Sequence, residues 1–269
     1  MKSRSFSIHL FTLVVFLIPL LLSCSNSNDP NGSVGSLDFE VEESFSFSVA
    51  IVNHSIFRLE GINGNIEITG VANNDTVKVE GERRVASEST EDAQEHLDLL
   101  QVQVTDLSNE LYVKTSQPSD SQGRSYQVDY RITIPNTFSV IITNINGNVT
   151  AGALENTLSV GNINGNVTLE DISANTAVSV TNGQISGNMT LQLDGIATHT
   201  VTNGNIIFTI PQNTSADFSA SVINGNISIS DLELLNQVIT SHSVTGTLGS
   251  GRGTITLGVT NGNITASST

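Results

Sequence analysis

The sequence predicts an all-β, single-domain parallel β-helix or β-solenoid with about 18–21 residues per rung, preceded by a β-rich N-terminal cap that contains one short helix. Three observations lead there. The dipeptide Asn-Gly recurs at Asn63-Gly64, Asn146-Gly147, Asn164-Gly165, Asn182-Gly183, Asn203-Gly204, Asn224-Gly225 and Asn261-Gly262, with Thr245-Gly246 as a degenerate copy. From Gly147 onward the glycines of these copies are spaced 18, 18, 21, 21, 21 and 16 residues apart. The residue two after each Gly is apolar (Ile66, Val149, Val167, Ile185, Ile206, Ile227, Leu248 and Ile264) and the next is polar in most copies, which is strand alternation starting from a fixed turn.

Asn-Gly favours positive φ, so a single copy would suit a hairpin turn. A meander of hairpins, however, would need two kinds of repeat, one for each end of the sheet. Here every copy sits at the same phase of the apolar pattern, as in a coil that returns to the same place on each turn. A turn of this length would hold about three strands of roughly five residues. Stacking would then place Ile or Val over Ile or Val in a narrow core and align the Asn side chains in an amide ladder. The Asn-Gly set therefore reads as architecture before ligand binding.

Taken in chain order, Met1-Lys2-Ser3-Arg4 is a short basic segment, and Ile8 to Leu22 is a mostly apolar run too short to span a bilayer as a folded helix. Residues 1–23 are read as a signal peptide. The segment Leu21-Leu22-Ser23-Cys24 resembles the bacterial lipobox, which makes Cys24, the single Cys of the chain, the expected lipidation residue. Several acyl chains on one residue would anchor the protein stably without spanning the membrane. Residues 25–33 are all polar or turn-forming, and residues 24–36 suit a flexible tether. Ser25 after that Cys resembles the outer-membrane sorting pattern of enteric bacteria, so the expected address is the cell envelope, on a periplasmic or surface-facing leaflet.

Residues 37–134 hold 18 of the 26 acids and seven of the ten bases, and are expected to form an acidic cap that closes the first rung. Strands are expected over Val49 to Leu59, Thr76 to Val85, Leu99 to Thr105, Glu110 to Thr115 and Tyr126 to Ile134. A short helix is expected over Ser89 to Leu97, with Ser89 as N-cap and Asp92 three residues on. Residues 135–269 hold seven acids and one base, Arg252, and form the repeat solenoid. Its last residues, Ala266 to Thr269, are expected to give the final rung little covering.

The segment Val128-Asp129-Tyr130-Arg131-Ile132-Thr133-Ile134-Pro135, the Asn-Gly-x-Ile/Val units after it and Gly246-Thr247-Leu248-Gly249-Ser250-Gly251-Arg252-Gly253 together resemble the bacterial putative-adhesin β-solenoid domains. These are similar in turn to auto-transporter adhesin heads named for Gly-Ile-Asn, a motif matched by Gly61-Ile62-Asn63. The resemblance covers roughly residues 45 to 266. It implies a surface-exposed, adhesive solenoid and brings no catalytic or ligand residues with it. Members commonly carry Asp after Asn-Gly, whereas this chain mostly carries Asn (Asn65, Asn148, Asn166, Asn205, Asn226 and Asn263), which argues against a cation role there.

Cleaved at residue 24, the chain would carry eight bases and 26 acids, a net charge of 8 − 26 = −18, which speaks against nucleic acid as a partner. His54, His96, His199 and His242 are scattered, with no second Cys, so neither a metal nor a cofactor is expected; His199 and His242 each open a rung and read as surface positions. The acidic cap reads as a solvated face that could also collect divalent cations weakly. Gly249-Ser250-Gly251 lacks a phosphate-loop Lys and reads as a tight corner. Asp171 and Asp231 share a face, but three rungs, about 14 Å at the spacing of neighbouring strands, would separate them, beyond the reach of paired glycosidase carboxylates. The function expected is therefore non-catalytic: a lipid-anchored solenoid that binds a glycan or another surface protein. The alternatives are a self-associating structural or stress-related envelope scaffold and, more remotely, a carbohydrate-active enzyme.

Overall fold

The computed structural model describes residues 37–269; the expected signal peptide, Cys24 and the tether lie outside the described residues. The chain opens with β1 (Phe39–Ala50), β2 (Ile56–Glu60), β3 (Ile66–Val71), β4 (Thr76–Ser87), α1 (Thr90–Leu97), β5 (Gln101–Asp106), β6 (Glu110–Ser116) and β7 (Ser125–Pro135). The repeats then add strands in pairs, each pair joined by an Asn-Gly corner: β8 (Ser139–Asn146) with β9 (Val149–Gly152), β10 (Thr157–Asn164) with β11 (Val167–Ile172), and β12 (Asn175–Asn182) with β13 (Ile185–Met189). β14 (Ile196–Asn203) with β15 (Ile206–Ile210) and β16 (Ala216–Asn224) with β17 (Ile227–Ser230) continue the series. A hairpin of β18 (Leu234–Ile239) and β19 (Ser243–Leu248) precedes the last pair, β20 (Gly253–Asn261) with β21 (Ile264–Ser268).

These strands form two facing sheets, one ordered β1-β4-β7-β3-β9-β11-β13-β15-β21-β17 and the other β18-β19-β16-β20-β14-β12-β10-β8-β2-β6-β5. The ladders between successive rungs are parallel and in register, so Val149, Val167, Ile185, Ile206 and Ile264 form one inward column. All five are buried in a single apolar core that runs from the cap to the last rung. Each rung contains two strands rather than the three expected: an eight-residue strand, a corner and a six-residue strand account for most of an 18-residue turn, as in β10 and β11. The return bend is made by a residue in the left-handed region six after the corner Gly, Ala153 (φ 53°), Asp171 (φ 51°) or Asp231 (φ 56°).

Spatial order departs from chain order at both ends. Thr245-Gly246 is not a solenoid corner, because it lies in β19, which runs antiparallel to β16. That hairpin occupies the outer edge of β16. β20 therefore enters on the inner edge, between β14 and β16 and parallel to both. The Gly249–Gly251 turn redirects the chain, with Gly251 N–H donating to Leu248 C=O at 3.1 Å, and Arg252 makes a bidentate pair with Asp194 at 3.0 and 2.8 Å. The C-terminal residues are thus interior to the stack instead of thinly covering its end. At the other end β2 and β3 stack between the β6/β7 rung and the β8/β9 rung. The strand expected over Val49 to Leu59 is two strands, since the chain crosses between sheets at 51–55.

In the cap, α1 starts where Ser89 Oγ accepts from Asp92 N–H at 3.2 Å and packs Ala93 and Leu97 into the core. The Asp92 carboxylate receives two hydrogen bonds from Arg124, at 2.6 and 2.7 Å, and one from Ser87 Oγ. Arg124 first, then Ser87, holds that carboxyl well below the usual range.

His199 corrects the surface expectation. It points inward from β14 between Val178 and Leu257 on the flanking strands, and is fully buried. Nε2 lies 3.0 Å from Thr176 Oγ1, the ring meets Phe208 edge-on at a centroid distance of 4.9 Å, and Nδ1 has no hydrogen-bond partner. Burial lowers its pKa to about 4 from 6.5. The unfolded chain therefore binds the proton first, and the stability that the neutral ring supports, complete above pH 6.5, is lost as pH falls toward 4, at up to about 1.4 kcal/mol per pH unit. Urea unfolding at pH 7 and pH 4.5 should show this loss in the native chain and a smaller one in His199→Gln.

Ile206 is fully buried in the central column, whereas Asn205 is half-buried and its Oδ1 accepts from Asn263 N–H at 3.0 Å. Ile206→Asp buries an unpaired carboxyl and should cost more than about 4 kcal/mol, enough to unfold the domain. Asn205→Asp keeps the acceptor and should cost under about 1 kcal/mol. Equal melting temperatures for the two variants would refute this assignment.

Candidate functional site

The Asn-Gly corners stack along one edge of the solenoid. Asn146 Nδ2 donates to Asn63 Oδ1, Asn164 to Asn146, Asn182 to Asn164, Asn203 to Asn182, Asn261 to Asn203 and Asn224 to Asn261, at 2.7 to 2.9 Å. Asn63 Nδ2 ends the ladder on Tyr126 C=O at 3.0 Å. A second ladder runs beside it, in which Oδ1 of Asn65, Asn148, Asn205 and Asn263 accepts the backbone N–H of the residue one rung on, at 2.9 to 3.0 Å. The backbone of Gly64, Gly147, Gly165, Gly183, Gly204, Gly225 and Gly262 turns these corners at positive φ. At Gly204 a Cβ would lie 1.7 Å from Gly183 C=O, so only glycine lets consecutive rungs stack there. The side-chain amides are engaged mainly with one another.

Two inward asparagines were not singled out by the repeat pattern. Asn144 and Asn162 stand in a column where later rungs carry valine, and their Nδ2 groups donate to Gly64 C=O at 3.2 Å and Gly147 C=O at 3.0 Å. The signal for them is an Asn two before the corner Asn, in an otherwise apolar column.

The outer face of the eleven-stranded sheet is uncharged across β10, β12, β14 and β20. Outward positions on β10, β12, β14 and β20 include Ser159, Gly161, Ile163, Ala177, Ser179, Thr181, Thr198, Thr200, Thr202, Thr256, Gly258 and Thr260. A shallow groove of about 480 Å³ at its border with β2 and β6 is lined by Gly61, Gly161, Ile62, Ile145 and Ile163 together with the charged Glu60 and Lys114. Ile145 and Ile163 are exposed. These isoleucines immediately precede corner asparagines, a position the apolar columns do not include.

A larger groove of about 900 Å³ lies on the cap, where Phe45, Phe47 and Tyr130 meet around Gly81. Its arginines are already engaged: Arg83 with Glu43, Arg84 with Glu82 and Asp129, and Arg131 with Glu67. Glu43, Glu67, Glu82 and Asp129 are thus held in ion pairs within the cap. Among the described residues no group of three or more His, Cys, Asp or Glu side chains is placed to hold a metal ion. Asp171 and Asp231 are four rungs apart, about 19 Å, rather than three, because the β20/β21 rung intervenes. Their left-handed backbone accounts for Asp at these bends. No helix among the described residues is long and apolar enough to cross a membrane.

No curated protein matches the chain. Among solved structures, a "putative cell adhesion protein" from Clostridium sporogenes is 9% identical with a TM-score of 0.44, covering 85% of this chain and 100% of its own. A "putative adhesin" from Bacteroides fragilis is also 9% identical, with a TM-score of 0.27, covering 84% of this chain and 97% of its own. The Toastrack DUF4097 family model matches residues 46–267, nearly all of the described solenoid and cap, and the chain belongs to that family.

Proposed function

We propose that the protein is an envelope lipoprotein, tethered through Cys24, whose solenoid presents a rigid uncharged face for non-catalytic binding to a glycan or another surface protein. The observation that carries this reading is the outer face of β10, β12, β14 and β20, a surface of Thr, Ser, Gly and Ile without a charged side chain. Such a face approaches a neutral hydroxyl-rich or apolar partner without desolvating charge, and its hydroxyls supply donors and acceptors at the strand spacing. In-register stacking keeps those groups in place, so little side-chain order has to be gained on binding. The polar stretch at residues 24–36 is the matching tether.

Protease shaving of intact cells that express the tagged chain, beside a Cys24→Ala control, tests the reading. The tag should be lost from intact cells, and the control should leave the membrane fraction. A control that stays in the membrane fraction would remove the lipid anchor. Protection of the tag until the envelope is opened would remove surface binding in favour of a structural role inside the envelope.

A further inference from the structure

We propose that Asn224-Gly225, the corner of the last rung, is a self-modification site, at which the backbone nitrogen of Gly225 attacks the side-chain amide of Asn224 and converts it to a carboxylate. Every Asn-Gly pair carries the reactants, because a glycine after asparagine puts no Cβ in the way of the attack. The stack keeps them apart at six of the seven described corners. The N–H of Gly64, Gly147, Gly165, Gly183, Gly204 and Gly262 donates to an Asn C=O of the next rung at 2.9 to 3.0 Å. At each of those corners the Asn Oδ1 also accepts the Nδ2 of the next rung. Nucleophile and amide are both held in the ladders.

Asn224-Gly225 lacks both of these bonds. It stacks on the corner below through Asn224 Nδ2, 2.8 Å from Asn261 Oδ1, and through Asn224 C=O, which accepts from Gly262 N–H at 2.9 Å. No rung lies beyond it. The β18–β19 hairpin covers only the first part of β16, its ladder ending with Ser221 opposite Ser243. Among the described residues Gly225 N–H and Asn224 Oδ1 therefore make no hydrogen bond. Gly225 is also the one exposed corner glycine, the other six being half-buried.

The step needs only water and hydroxide from the solvent. Gly225 N gives its proton to hydroxide and bonds to Asn224 Cγ; the Cγ–Nδ2 bond breaks, and Nδ2 takes a proton from water and leaves as ammonia. Water then opens the five-membered imide. Breaking its Cγ–N bond gives aspartate, and breaking its bond to the main-chain carbonyl carbon gives isoaspartate; nothing is oxidised or reduced. Closing the ring turns the corner out of its stacked position. An interior corner would have to leave the rungs on both sides, whereas Asn224 leaves only one, so local opening of the terminal rung is enough. Aspartate at 224 sets a carboxylate against Asn261 Oδ1, where an amide donated before, and adds a charge to the end that carries Asp231 and Glu233. Isoaspartate also lengthens the main chain at the corner, which shifts Ile227 and Ile229 off Ile264 and Ala266.

Peptide mapping tests this on the chain from Ser25 onward, which keeps every strand, held at mildly alkaline pH for increasing times either folded or in urea. Pepsin digestion in acid stops the reaction, and mass spectrometry reads conversion at each Asn-Gly separately, including Asn31-Gly32, which lies outside the described residues. In urea the seven corners should convert at similar rates. In the folded chain Asn224 should convert at least about tenfold faster than any other corner. Asn224→Gln keeps an amide but would need a larger ring; it should melt with the native chain and abolish conversion at that corner alone. Equal rates at all seven corners of the folded chain, faster conversion at an interior corner, or an unchanged Asn224 after a time that exhausts the unfolded chain would overturn the proposal.

Discussion

Every rung depends on one backbone constraint, the close stacking of consecutive Asn-Gly corners. The corner Gly N–H donates to the Asn C=O of the next rung, as Gly147 does to Asn164 and Gly204 to Asn261, both at 2.9 Å. With the corners at this spacing, a Cβ on any of these glycines would run into the carbonyl one rung away. Positive φ and close approach together make glycine necessary. The preceding Asn follows from the geometry, since its amide lands on the amide of the neighbouring rung and satisfies it along the solenoid axis. Once the corners stack, the strands on both sides are locked in parallel register, and with period-two side chains a slip of one residue would turn every Ile and Val of the core outward.

The same regularity shapes what the surface can do. In-register parallel strands repeat whatever lies at each outward position, so the substitutions Thr, Ser and Gly across β10, β12, β14 and β20 become rows of hydroxyl and bare backbone rather than isolated side chains. A solenoid of this kind has no cleft between domains in which to gather converging functional groups, and its carboxylates are held rungs apart. Its chemistry is that of an extended face and two ends. The cap answers for one end by pairing its acids with Arg83, Arg84 and Arg131 within and across its strands. The other end has no comparable ionic dressing.

His199 shows how a repeat admits an exception. It stands in a column otherwise filled by Val178 and Leu257, where an aliphatic side chain would pack without leaving a polar atom. Thr176 on the neighbouring strand and Phe208 from the facing sheet accept it, so the site is built by two rungs together, and its cost, already set by the unpartnered Nδ1, grows when the ring is charged.

The amino-acid sequence by itself determined the repeat, the corner residues, the inward columns, the parallel register and the capped helix at Ser89, because each is written in short-range spacing that a single rung can express. It also carried the family resemblance, through the same corner units. The tertiary structure decided which rung lies beside which. Thr245-Gly246 has the sequence of a corner but is used as an antiparallel strand, and Asn261-Gly262 stacks between Asn203-Gly204 and Asn224-Gly225. All rungs present equivalent edges, so local pattern cannot rank them. The choice falls to the β18–β19 hairpin, which takes one edge of β16 and leaves the other to β20.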